Sequence, residues 1–415
     1  MIIIKNLNKY RAEFFFIFTI IIYLSYQAWS LPNWFFGGDM WAEMATNYYH
    51  NSLSPSLYTQ LLSTDAGYLP LPSRLIAFVG GVVGLDASIT PYYYTYSSSI
   101  FSAILVGVFC LPPFRIVIKS DVLRFCIGII NLLVIGFEES NFVNVFYLSA
   151  FFITVCSLLP LNSRFNTPNW FWLIPFLMIS KPAVLATMPL LCISAIYGDK
   201  KFKVITFVTL FASFIQLSQM LYSRYQLDMF SIERNILDVC YIVYRMLFST
   251  IGKYIYGSLM PSGDYSLYFG ILTVIVLLVI VVISSSKYKF FIIFGFILVL
   301  FNTLLNSVTL DYWDGNVDLY NRLFFNRHTW VSFIGICFVV VGIILILNRG
   351  ESNLKAVLLL IAWFIASGWT DKIRIPENEP RLIYEWQKTV TNIHEGESAI
   401  ININPNGWKY QYSKR

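Results

Sequence analysis

Asp39 and Glu43 stand four residues apart in Gly37-Gly38-Asp39-Met40-Trp41-Ala42-Glu43-Met44, a spacing that would set two carboxylates on one face of a helix. One could then act as a general base and the other as its support, because a neighbouring acid or partial loss of water raises a carboxyl pKa towards a useful value. The plain alternative is structural: Asp39 caps a helix opened by two glycines, and Glu43 is solvated. A second group, Tyr320-Asn321-Arg322-Leu323-Phe324-Phe325-Asn326-Arg327-His328, carries two arginines five residues apart. A guanidinium stays charged and presents a planar fork of donors, which grips phosphate oxygens in pairs and can neutralise a phosphate leaving group. Here the plain alternative is interfacial, with the arginines snorkelling and pairing with Asp314 or Asp318.

Two lone cations extend this set. Lys181, in Ser180-Lys181-Pro182, interrupts an apolar stretch. Burial at mid-membrane would cost roughly 2.5 to 3.5 kcal/mol on insertion scales, so the side chain either reaches the outer interface or faces a cavity. Arg74, after Leu69-Pro70-Leu71-Pro72-Ser73, is a similar interfacial cation and a further candidate for a lipid phosphate. Neither a metal nor a cofactor is expected. His50, His328 and His394 lie far apart, and no HExxH, CxxC or Asp-x-Asp pattern occurs. No P-loop or GxGxxG fingerprint is present either, so any donor should come through the membrane rather than as a nucleotide.

The elements that must position these residues are membrane helices. The chain is 57% hydrophobic and only 13% charged, with a mean hydropathy of +0.63, far from the roughly 25% charged content of soluble domains. Apolar runs of about 20 residues cross the hydrocarbon core as helices, whose backbone groups are satisfied internally. Eleven spans are expected, at about 14–31, 94–114, 122–137, 142–160, 169–180, 183–197, 204–222, 267–285, 290–306, 329–347 and 355–369. With an inside N-terminus, the inner loops then hold fourteen basic and four acidic residues, and the outer loops before the tail hold eight basic and thirteen acidic ones. That bias is the one expected of cytoplasmic and outer faces. It places the long segments 32–93, 223–266 and 307–328 outside, where Leu75 to Leu85 and Ile236 to Leu259 read as helices lying in the interface.

The expected fold is therefore an all-α polytopic membrane domain over residues 1–369 with a small outer α+β tail over 370–415. In the tail, Arg381 to Ile393 reads as a helix and Ala399 to Ile403 as a strand ended by the turn Asn404-Pro405-Asn406-Gly407. The six cysteines fall in or beside apolar stretches and read as free thiols. The net charge of +6 is spread over short loop clusters, which suits orientation in a bilayer and not nucleic acid.

The layout and motifs together resemble the GT-C class of polytopic glycosyltransferases, which use polyprenyl-phosphate sugars. Gly38-Asp39-Met40-Trp41-Ala42-Glu43-Met44-Ala45 is similar to the first-loop acidic motif of that class. Trp41-Ala42-Glu43 resembles the Phe-Trp-Ala-Glu-Asp motif of phage-encoded serotype-converting O-antigen glucosyltransferases, with Met40 in place of the Phe and Met44 in place of the last acid. Arg322 to Phe325 resembles their Arg-Tyr-Phe-Phe stretch, and Asn404-Pro405-Asn406-Gly407-Trp408 a tail motif of some relatives. The resemblance implies an inverting transfer of a hexose, glucose by analogy, from a polyprenyl-phosphate donor to a polysaccharide acceptor such as O-antigen, at the outer face of a bacterial inner membrane. Asp39 or Glu43 would be the base, and Arg322, Arg327, Lys181 and Arg74 would hold the donor phosphate. A flippase of lipid-linked sugars and an O-antigen polymerase or ligase are the other classes compatible with outer cations and a membrane cavity.

Overall fold

The computed structural model describes residues 2–226, 235–260, 264–310, 327–348, 353–373, 383 and 385–414. Arg322 and the acids Asp311, Asp314 and Asp318 lie outside the described residues, as does Arg381 at the start of the expected tail helix. Among the described residues the fold is mostly helical, with one two-stranded sheet in the tail.

Among the described residues, six helices are long and apolar enough to cross a membrane: Tyr10–Ser30, Thr90–Cys110, Lys200–Ser223, Tyr265–Ile283, Lys289–Thr309 and Trp330–Leu347. They coincide with six of the eleven expected spans. The remaining expected spans form shorter helices, among them Asp121–Leu133, Ser149–Leu158, Leu173–Met178, Met188–Tyr197 and Asn353–Ala366. Proline shortens several of them. Pro160, Pro168, Pro182 and Pro189 each lack a backbone donor and sit at or near a change from α-helix to 3-10 helix or turn.

The most extensive helix pairing joins Lys289–Thr309 to Trp330–Leu347. Gly295 and Gly335 face one another there, and a Cβ on either would collide with the other's carbonyl oxygen. Small residues allow this close approach where lipid supplies no hydrophobic drive between helices. Near the end of this pair, the side-chain amides of Asn302 and Asn306 each donate to the His328 carbonyl at 2.9 Å. Those bonds fix the chain just as it enters the last of the six helices.

The first loop folds into the helices Pro32–Gly37, Leu57–Leu62 and Leu71–Val82 and the π-helix Met44–Tyr49. The tail docks on it. Strands Ser398–Ile403 and Trp408–Ser413 pair antiparallel across the expected turn, with Ile401 and Ile403 fully buried. Trp386, in the short helix Trp386–Asn392, packs edge-on to Tyr49 and against Tyr410 and donates its indole N–H to the Ala87 carbonyl at 2.8 Å. All six cysteines are free thiols.

Candidate functional site

The acidic motif is not one continuous helix. Gly38, with φ 64°, ends the helix Pro32–Gly37 in the left-handed conformation that glycine adopts readily. Residues 39–41 then run beside the tail without helical structure, and Glu43 opens the π-helix Met44–Tyr49. The expectation that Asp39 and Glu43 share one helix face is therefore corrected. Ala42, at φ 30°, and the pairing of Trp41 with Asn404 break the helical path between the two acids and turn them to different surroundings.

Asp39 points at the tail and is 2% exposed. One carboxylate oxygen accepts from the Met40 backbone N–H at 3.0 Å, and the other accepts from the Asn404 side-chain amide. Loss of water pushes its pKa up to about 7, against the opposing pull of the Met40 backbone N–H, the Asn404 amide and the Trp386 backbone N–H.

Glu43 points the other way, into a cavity of about 270 Å³ shared with Asp65, Tyr68, Tyr147, Lys181, Arg327 and His328. The apolar part of its wall comes from Met220, at the C-terminal end of one membrane helix, from Leu305 and Leu310, at the C-terminal end of another, and from Pro182 and Ala183. The Glu43 carboxyl is also raised above its ordinary value. Loss of water is the largest cause, the charge of Asp65 adds to it, and Lys181 and Arg327 oppose it.

Lys181 is 3% exposed and is held by aromatic rings. Its ammonium lies 4.6 Å from the Tyr68 ring centroid and 5.6 Å from that of Tyr147, and it donates to the Tyr68 hydroxyl. Cation–π contacts favour the charged form, while loss of water, with the charge of Arg327 beside it, pulls the Lys181 pKa down to about 8 against the opposing charges of Asp65 and Glu43. Arg327 contributes a second cation beside His328, onto whose ring nitrogen its Nε donates at 3.2 Å.

Sequence reasoning did not single out Asp65 as a site residue. It anchors one side of this cavity by accepting from the Tyr48 and Tyr68 hydroxyls at 2.9 and 3.0 Å. The turn Asp65-Ala66-Gly67-Tyr68 closes with reciprocal backbone bonds of 2.8 and 3.0 Å between its outer residues. Ala66 and Gly67 both have positive φ, 44° and 83°, the pattern of a type I′ turn. The Ala-Gly pair flanked by Asp and Tyr was the available signal, but an Ala at the first central position masks it, since Asn or Asp is the usual choice there.

Arg74 is fully buried and does not line the cavity. Its guanidinium donates to the carbonyls of Ser63, Asn47 and Thr64 and to the Asn47 side chain, and lies 4.8 Å from the Tyr48 ring centroid. The geometry thus brings together Glu43, Lys181 and Arg327, turns Asp39 towards the tail, and commits Arg74 to holding the first loop. Among the described residues, no group of three or more His, Cys, Asp or Glu could hold a metal ion. No known family, curated protein or solved structure matches the chain.

Proposed function

We propose that this chain is a membrane glycosyltransferase that moves a hexose from a polyprenyl-phosphate donor to a surface polysaccharide, with inversion at the anomeric carbon. The observation that carries this reading is the cavity that holds Glu43 and Asp65 together with Lys181 and Arg327. Among the described residues, two carboxylates and two cations line the cavity and balance in charge, which suits a reaction that moves one negative charge across it. Glu43 takes the proton of an acceptor hydroxyl and becomes neutral. The hydroxyl oxygen bonds to the anomeric carbon as the bond from that carbon to the phosphate oxygen breaks. The departing polyprenyl phosphate gains the charge that Glu43 gave up, beside Lys181 and Arg327, where fixed cations act without reorganising.

The cavity's position supports a lipid-linked substrate. Its walls come from like-facing ends of apolar helices, which in this reading lie at the level of a lipid phosphate, whereas transporters bind near the bilayer midplane. Its volume of about 270 Å³ lies just below the roughly 300 to 1,000 Å³ of small-molecule sites. In this reading the shorter apolar helices complete about eleven crossings of a bacterial inner membrane. The N-terminus is then cytoplasmic, the cavity and the tail are periplasmic, and O-antigen is the acceptor class suggested by the resemblance of Trp41-Ala42-Glu43. Asp39 and Arg74, which do not line the cavity, take no part in this step.

The deciding experiment supplies purified polyprenyl-phosphate [14C]hexose and polysaccharide acceptor to the protein in proteoliposomes. Label appearing on the acceptor is the expected result. Movement of the labelled lipid between leaflets with no transfer, or transfer only from a pyrophosphate-linked repeat unit, would overturn it.

A further inference from the structure

The tail motif Asn404-Pro405-Asn406-Gly407 and the acidic motif of the first loop meet at one residue. The Asn404 backbone N–H donates to the Met40 carbonyl at 3.0 Å, and the Ala42 N–H donates to the Asn404 carbonyl. The Asn404 side-chain amide donates to the Asp39 carboxylate, while its side-chain oxygen accepts from the Ile383 N–H at 3.0 Å. Asn404 is fully buried, so none of these bonds is diluted by water. Both backbone bonds flank Trp41, and the second holds Ala42 at its positive φ of 30°, a conformation that costs an L-residue roughly 1 to 2 kcal/mol and persists only where surroundings enforce it. The next residue is Glu43.

We infer that Asn404 is a positioning residue for Glu43, and that the C-terminal hairpin is a clamp that aims the carboxylate into the cavity. The role in transfer rests on the reading of the cavity as a glycosyltransferase site; the clamp itself rests only on the bonds above. Neither Asn404 nor Asp39 lines the cavity, so the clamp acts on the rate of the chemical step and leaves donor binding to Lys181 and Arg327.

The pair can be exchanged chemically. In Asp39→Asn, the amide nitrogen at position 39 meets the amide nitrogen of Asn404, because the Met40 N–H already takes the oxygen at 39 and the Ile383 N–H takes the oxygen at 404. In Asn404→Asp, two carboxyls meet with no amide donor between them, and at pH above about 7, the Asp39 pKa, both carry charge and repel. The double variant Asp39→Asn/Asn404→Asp restores one amide donor facing one carboxylate acceptor, with both outer backbone bonds kept. A glutamate-positioning clamp therefore predicts failure in each single variant and recovery in the double.

The test pairs amide hydrogen exchange of residues 39–46 with steady-state kinetics on the polyprenyl-phosphate hexose. Each single variant should raise exchange in that segment and lower kcat on the order of 10- to 100-fold, the scale set by misplacing a reacting group by about 1 Å. The KM for the donor should stay unchanged. The double variant should recover both protection and kcat. Unchanged exchange in the single variants, or a double variant as unprotected as they are, would refute the clamp. Restored protection with no recovery of kcat would refute the positioning role. If the wild-type chain transfers no sugar, the glycosyltransferase reading falls while the exchange data still decide the clamp.

Discussion

Replacing Glu43 by Gln removes the proposed base and little else. Gln keeps the length and branching of the side chain, and Glu43 sits at the entrance of a π-helix whose neighbours Met44 and Ala45 are fully buried, so the backbone has no reason to move. Burial and Asp65 hold the Glu43 carboxyl above its ordinary pKa. A carboxyl raised in this way destabilises the fold once it is charged, so a neutral amide at 43 does not lower stability at neutral pH. The kinetic effect is large by contrast. General-base catalysis contributes about 10² to 10⁴-fold, which at 1.36 kcal/mol per tenfold corresponds to roughly 2.7 to 5.4 kcal/mol of transition-state stabilisation. Label transfer in proteoliposomes should therefore show kcat reduced by that factor, with the donor KM and the melting temperature in detergent near wild type. The acid limb of the pH profile should vanish as well, since no titrating base remains. A Glu43→Gln protein that keeps more than about a tenth of wild-type kcat would refute the assignment, and so would one whose acid limb persists.

Lys181→Met keeps the apolar stem but removes the cation beside Tyr68 and Tyr147. Donor KM should rise about 10- to 100-fold, as expected for one charge-assisted phosphate contact, measured by initial rates against donor concentration. In the wild-type protein, kcat should fall as pH drops through the raised Glu43 pKa, at higher pH than an ordinary glutamate would give. Asp65→Asn should shift that limb downward, because the Asp65 charge is one of its causes. Arg74→Met strands the acceptors around a buried guanidinium and should lower stability by about 3 kcal/mol or more, read as a lower melting temperature with kcat per folded molecule retained. A cysteine introduced as Lys201→Cys in a cysteine-free background should react with an impermeant maleimide only after the membrane is opened; labelling in intact cells would reverse the proposed sidedness.

The parts legible in the sequence were those set by local chemistry. Apolar length alone marks the six long helices, and alternation up to Ile403 followed by Asn404-Pro405-Asn406-Gly407 marks the first strand and the turn of the tail hairpin. The charges that line the cavity were visible too, since Glu43, Lys181 and Arg327 stand out near apolar runs. Their relation was not. A four-residue spacing between Asp39 and Glu43 suggests a shared helix face, but a partner 365 residues away draws that segment out of a helix, and no local pattern encodes a partner so distant. Asp65 was hidden for a related reason: its importance comes from Tyr48 and Tyr68 converging on it beside Lys181, and each looks ordinary alone. Arg74 looked like an interfacial cation because the carbonyls that engage it come from residues 47, 63 and 64, which only the folded loop brings together.

The bond between Asn404 and Asp39 also has a consequence in time. Asp39 leaves the ribosome 365 residues before its partner, a delay of roughly 20 to 70 s at translation rates of about 5 to 20 residues per second. Throughout that interval the first loop is already made while the residue that holds its acidic motif has yet to be synthesised. A nascent chain interrupted between residues 366 and 404 has all of its described apolar helices and still lacks the residue that bonds Asp39, so in the proposed reading it carries no assembled site.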